Sequence, residues 1–163
     1  MTDIKKSLQS RHNQRTSEQA QDIVMETMKG MGFKCVERIE TGFAVIRTNG
    51  KITGAYPKRR VSGDIRAIGH NGQAIHCECK YRPGKGEEEP RLKWGDFEPH
   101  QIEHFDNVIN ASGAAFVAWV VCLYPARLFF LQWPVSGLKK GKSLRYSEAM
   151  KLQPEYFGIK SKN

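Results

Sequence analysis

Gly63-Asp64-Ile65-Arg66-Ala67-Ile68, then Gly69-His70-Asn71-Gly72, then Gln73-Ala74-Ile75-His76-Cys77-Glu78-Cys79-Lys80 is the run that decides the fold. Alternating apolar and polar residues flank a turn signal, so the run reads as a strand, a tight turn and a second strand. Each strand carries an acid at its outer end. Glu78 and Lys80 are two apart and point to one face of an extended strand. Two carboxylates and a lysine converging at a hairpin mouth suit a divalent cation beside a phosphodiester; the solvated face of an amphipathic hairpin has the same spacing. The turn decides between them. A two-residue Asn71-Gly72 loop would pair Asp64 with Cys79, whereas a three-residue His70-Asn71-Gly72 loop, with Gly72 left-handed and a bulge, sets Asp64 opposite Glu78. The second loop is predicted.

The chain of 163 residues fits one domain with a real core. Its formal net charge of +9 favours a polyanionic partner. No uninterrupted apolar stretch is long enough to span a bilayer, and Thr2 to Arg15 is polar rather than signal-like. Nucleic acid is therefore the expected partner, with no membrane, no small-molecule cofactor and a cytoplasmic location, nucleoid-associated or in a phage-infected cell. Cys35, Cys77, Cys79 and Cys122 fall in apolar strand-like segments. The C-x-C spacing of Cys77 and Cys79 lacks a matching second pair for zinc, so buried, reduced core thiols are expected.

Residues 1–15 carry Lys5, Lys6, Arg11 and Arg15 without helical apolar periodicity and read as a mobile basic arm. Thr16 or Ser17 can cap a helix to about Lys29, with Ile23, Val24 and Met28 on its apolar side. Strands are expected at 33–39 and 43–47, followed by a polar loop over 48–60. A second loop is expected over 81–98. Pro99 suits the first turn of a helix reaching about Ala111, with Ile102, Phe105 and Ile109 inward. Ala114 to Cys122 reads as a strand covered on both faces, and Leu128 to Trp133 as another. A basic loop (Lys139, Lys140, Lys142, Arg145) and a short helix near 147–152 close the chain. Residues 16–135 thus form the domain, and 136–163 a basic extension packed on it or trailing from it. The order is α-β-β-β-β-α-β-β in a mixed α/β layer structure.

A helix, a meander with acids on its middle strands, then a helix and a returning strand resembles the core of PD-(D/E)XK nucleases over roughly residues 16–133. Ser62-Gly63-Asp64 is similar to the first motif without its frequent proline, and Glu78-Cys79-Lys80 to the second, with Cys in the middle position. Phe97-Glu98-Pro99-His100-Gln101-Ile102-Glu103-His104-Phe105 with Phe116-Val117-Ala118, and Gly42 to Ile46 upstream, resemble segments of RecU-type Holliday-junction resolvases. Those proteins carry an extended stalk, for which the 48–60 loop is short; the compact chain is also similar to archaeal and phage resolvases. The resemblance implies a restriction-endonuclease-like core with a mixed sheet flanked by helices. It implies a divalent-metal-dependent endonuclease that nicks four-way DNA junctions in symmetric pairs as a homodimer. Flap, end-processing, restriction or repair nucleases share the same motifs. A non-catalytic DNA-binding protein on the same fold is a further class, and an RNA-directed binding module a third.

On this reading Asp64, Glu78 and the backbone carbonyl of Cys79 hold Mg²⁺ or Mn²⁺. Lys80 orients the attacking water or neutralises phosphorane charge. Glu18, in the first turn of the first helix, completes the metal or water shell, with Glu26 and Asp22 as rivals; a helix-dipole partner is the plainer role. Gln101 contacts the site or the substrate. His100 and His104 tempt as general bases, but a phosphate contact or packing suits His104 better. Lys58, Arg59, Arg60, Arg82, Lys85, Arg91 and Lys93 flank the motifs and are expected to grip phosphates. Trp94 and Phe97 could stack on an opened base, although Trp94 is also suited to anchoring its loop.

Overall fold

The apolar run Ala114–Cys122 is buried on both faces, and the rest of the chain is layered around it. The computed structural model describes residues 2–40, 43–57, 63–83, 88–122, 127–152 and 157–158. Among them the order is α1 (Thr2–Gly30), β1 (Lys34–Arg38), β2 (Phe43–Thr48), β3 (Lys51–Pro57), β4 (Ile65–Ile68), β5 (Ala74–Pro83) and β6 (Arg91–Lys93). A 3-10 turn (Trp94–Asp96), α2 (Pro99–Asn110), β7 (Ala114–Cys122), β8 (Arg127–Gln132), β9 (Ser143–Arg145), α3 (Tyr146–Leu152) and β10 (Phe157–Gly158) follow. Among the described residues no helix is long and apolar enough to cross a membrane.

The main sheet has the order β1-β4-β5-β7-β8-β10. β5 and β7 run parallel, and every other pair in it is antiparallel. A parallel pair needs a crossover, and α2 lies within that connection. Alternation along β7 sends Val117, Trp119 and Val121 into one core with Phe105 of α2, while Ala118 and Val120 enter another with Ala20, Val24 and Met28 of α1. The sheet is therefore sandwiched between α1 and α2. Truncating the fully buried Trp119 or Phe105 to alanine would cost about 3–5 kcal/mol.

Several expectations are corrected. The helix does not begin at Thr16 or Ser17 but at Thr2, so the backbone of the supposed arm is helical. Lys, Gln, Arg and Leu are good helix formers, no Gly or Pro interrupts 2–29, and extending a formed helix requires no new nucleus. The 48–60 loop contains β3, which pairs with β2 as a separate two-stranded sheet, so 43–47 is not part of the main sheet. The 81–98 loop is partly regular: β5 continues to Pro83, and β6 pairs with β9. Cys77 is buried, but Cys35 and Cys122 are exposed and all four thiols are free. Cys35 lies at an irregularity of β1 with a φ of 50°, which turns it from the regular strand alternation.

Candidate active site

The register of the β4–β5 hairpin builds the site. Ile65 pairs with Cys77 and Ala67 with Ile75, all four buried against α1. The Gly69 N–H donates to the Gln73 carbonyl, leaving His70-Asn71-Gly72 as a three-residue loop with Gly72 at a φ of 78°. The predicted loop is the one formed. Asp64, one residue outside the Ile65–Cys77 pair, stands beside Glu78.

His76, Glu78, Lys80 and Arg82 alternate along the α2 side of β5. Glu78 is only 4% exposed although it is an acid. Its Oε1 accepts from Lys80 Nζ at 3.0 Å and from Gln101 Nε2. Its Oε2 is buried and has no hydrogen-bond partner among the described residues. A buried, unmatched carboxylate oxygen is costly unless a cation completes it. The Asp64 Oδ2 accepts the Cys79 N–H at 2.8 Å. In an extended strand the N–H and C=O of one residue point to the same side, so the Cys79 carbonyl is directed towards Asp64 as well. Burial, and then the charge of Glu78, push the Asp64 carboxyl up to about 6; the Cys79 amide, Lys80 and Arg38 pull the other way.

α2 supplies the lysine's second partner. Gln101 occupies the third position of the helix, where its Oε1 accepts the Glu98 N–H at 3.0 Å and Lys80 Nζ at 3.2 Å. Lys80 Nζ also sits 4.8 Å from the centre of the Phe97 ring. Phe97 is itself buried against Trp133, which corrects the expectation that it stacks on a base. Trp94 packs half-buried on the same core, as an anchor does.

The remaining predicted residues are distributed unevenly. Glu18 is on α1, across the sheet from the Glu78 side; its backbone carbonyl accepts Arg38 Nη2 at 3.1 Å, and the same guanidinium binds Asp22 at 2.6 Å. Glu26 pairs with Lys29. No group of three or more His, Cys, Asp or Glu side chains among the described residues is arranged to hold a metal, so Glu18 is not gathered with Asp64 and Glu78. His104, half-buried, meets His76, Nε2 to Nδ1 at 3.0 Å, and burial holds both rings below the ordinary histidine range. His100 contacts Glu98 at 3.2 Å. Arg82 pairs with Asp96, whose other oxygen accepts the Lys93 N–H. Arg91 and Lys93 are exposed on β6. Ser62, Lys58, Arg59, Arg60 and Lys85 lie outside the described residues.

Sequence reasoning missed Arg38 and His76. Arg38 pairs with Ile65, next to Asp64, a position visible only once β1 is known to pair with β4. His76 shares the Glu78 face by simple alternation, a signal that was present. The donor set fits a hard divalent cation: two carboxylates and a carbonyl, with one buried oxygen unmatched. It does not fit zinc, because the Cys77 and Cys79 side chains pack into the α1-side core, away from Glu78.

No protein-family model matches the chain, and no curated protein matches it. Among solved structures it is similar to Hjc of Archaeoglobus fulgidus, a Holliday junction resolvase from an archaeal hyperthermophile. The TM-score is 0.52 at 18% identity, over 87% of this chain and 95% of that one. The likeness shows the fold: a mixed sheet flanked by helices, of the restriction-endonuclease-like type.

Proposed function

We propose that this protein is a divalent-metal-dependent DNA endonuclease that makes paired, symmetric nicks in four-way junctions as a homodimer. One observation carries the nuclease reading. A buried Glu78 with an unmatched oxygen stands beside an Asp64 whose ionisation is opposed by burial, and Lys80 is fixed between Glu78 and Gln101. The fold shared with a protein described as a Holliday junction resolvase supports the junction as substrate. Two symmetric cuts require two sites related by a two-fold axis, which a homodimer supplies.

Asp64, Glu78 and the Cys79 carbonyl would hold Mg²⁺ or Mn²⁺. When bound, such an ion polarises the scissile phosphate and acidifies an attacking water. Lys80 holds its ammonium where negative charge grows on the phosphate, and Gln101 keeps that ammonium and Glu78 aligned. Glu18 stays a candidate for an outer role through Arg38, whose charge acts on Asp64. Arg82, Arg91 and Lys93, with Lys58, Arg59, Arg60 and Lys85, are proposed to hold flanking phosphates. His104 is proposed to position α2 through His76. Such an enzyme acts where DNA is, in the nucleoid or the cytoplasm.

The test is cleavage of labelled junction, flap, single strand and linear duplex with Mg²⁺, Mn²⁺ or chelator. Paired nicks near the crossover, only with metal and with linear duplex spared, are expected. Equal cutting of junction and duplex would refute resolution and leave a general nuclease. Binding without cleavage under every metal would favour a non-catalytic DNA-binding protein.

A further inference from the structure

β6 and β9 are each three residues long and come from distant parts of the chain, yet they pair in full register. Leu92 faces Leu144, and both are buried in the α2-side core. Alternation then turns the flanking pairs outward: Arg91 opposite Arg145, and Lys93 opposite Ser143. Like charges directly opposite each other in a sheet are destabilising. Here two exposed arginines are held together by the leucines beneath them. Glu89 offsets part of this charge, but its carboxylate is already engaged by the Ser147 N–H at 2.7 Å.

Beside this face lies the 139–142 turn, with Lys139, Lys140 and Lys142 exposed, Lys142 lining an open groove and Lys140 the adjacent cavity that holds Glu103 and Asp106. The turn is fixed there by the Trp94 N–H, which donates to the Lys142 carbonyl at 3.1 Å. The groove is lined by Arg82, Arg91, Lys93 and Lys142, with Glu88 and Glu89 as its acids. Arg82 follows Lys80 on the same face of β5, which sets the groove next to the candidate active site.

We propose that the outward face of the β6–β9 sheet and the 139–142 turn form a phosphate-binding platform that grips a duplex arm of the DNA beyond the cleavage point. This rests on the nuclease reading above. The C-terminal segment then belongs to the substrate-binding surface, through Lys139, Lys140, Lys142 and Arg145. A phosphate lying across the Arg91–Arg145 pair would complete the neutralisation that Glu89 begins beside it.

The experiment measures binding of a labelled four-way junction in chelator as salt rises from about 50 to 200 mM. Lys139→Ala/Lys140→Ala/Lys142→Ala should weaken binding about tenfold or more and flatten the slope of log affinity against log salt by about 2–3. Arg91→Ala/Arg145→Ala should flatten it by about 2. Lys29→Ala/Lys34→Ala, elsewhere on the surface, should leave the slope as it is. Unchanged slopes in both platform variants, or equal flattening in the control, would overturn the platform. If the wild type cleaves junctions while those slopes stay unchanged, only the platform fails. If the wild type binds no DNA, the nuclease reading fails and the platform with it.

Discussion

The two hairpins β2–β3 and β4–β5 carry the same Asn-Gly dipeptide at their turns and use it differently. Asn49 and Gly50 both have positive φ, 52° and 76°, and form a two-residue loop with Thr48 opposite Lys51. In the other hairpin Gly72 is left-handed and the loop takes in His70 as well. The difference lies beneath the strands. β4–β5 buries Ile65, Ala67, Ile75 and Cys77, and only the longer loop sets these apolar residues opposite one another. A slip by one residue would pair Ile65 with Glu78 and Ala67 with His76. β2–β3 leaves Val45 49%, Ile46 48% and Ile52 61% exposed, so the turn's own preference decides its register. Burial, not the turn, aligns Asp64 with Glu78.

The comparison breaks first on activity. Asp64→Asn and Lys80→Ala should lower junction cleavage by about 10²–10³-fold or more while binding persists. Thr53→Ala in the other hairpin should leave the cleavage rate unaltered. Undiminished cleavage by either of the first two variants would remove the assigned roles.

Stability against pH comes next. A carboxyl raised from 3.8 to about 6 leaves the folded state binding more protons than the unfolded chain between those values. The contribution of Asp64 to stability is therefore fully present below about pH 4 and is lost as pH rises through about 6. In chelator at pH 8, Asp64→Asn should gain roughly 2–3 kcal/mol over wild type, and the gain should vanish near pH 4. Urea midpoints at several pH values measure it; a gain independent of pH would count against a raised Asp64 carboxyl. Divalent metal should shrink the gain by stabilising the wild type.

A matched pair of glycines sharpens the contrast. A Cβ at Gly72 or Gly50 meets nothing within 4 Å, so alanine at either pays only for the left-handed backbone. Gly72→Ala should lower global stability by about 1–2 kcal/mol. Gly50→Ala should change it by only a few tenths, because a hairpin outside the main sheet can open on its own. Equal losses would show that β2–β3 is coupled to the core. Least affected of all, Val45→Ser and Ile46→Ser should change the unfolding free energy by no more than about 0.5 kcal/mol.

The strongly patterned elements were legible in the sequence. The β4–β5 loop, the doubly buried β7 and the inward side of α2 each follow from a local period. β3 was hidden by Gly54 and Pro57, which read as loop residues, and its described side chains Lys51, Ile52 and Thr53 are all exposed. β6 and β9 were beyond local reasoning: three residues give no period, and only the burial of Leu92 and Leu144 joins them. At the site, Glu78 with Lys80 could be read from alternation alone. Arg38 could not, because its place beside Asp64 depends on which strand β1 pairs with.

Gln101 has a consequence of its own. One side-chain oxygen closes the first turn of α2 and steadies Lys80, while the amide nitrogen of the same group holds Glu78. Fraying of that single helical turn would therefore release Lys80 and Glu78 together while the sheet stayed intact. Helix ends open readily, and hydrogen exchange at the Glu98 amide, expected to slow when metal and DNA are bound, would record how often this turn opens.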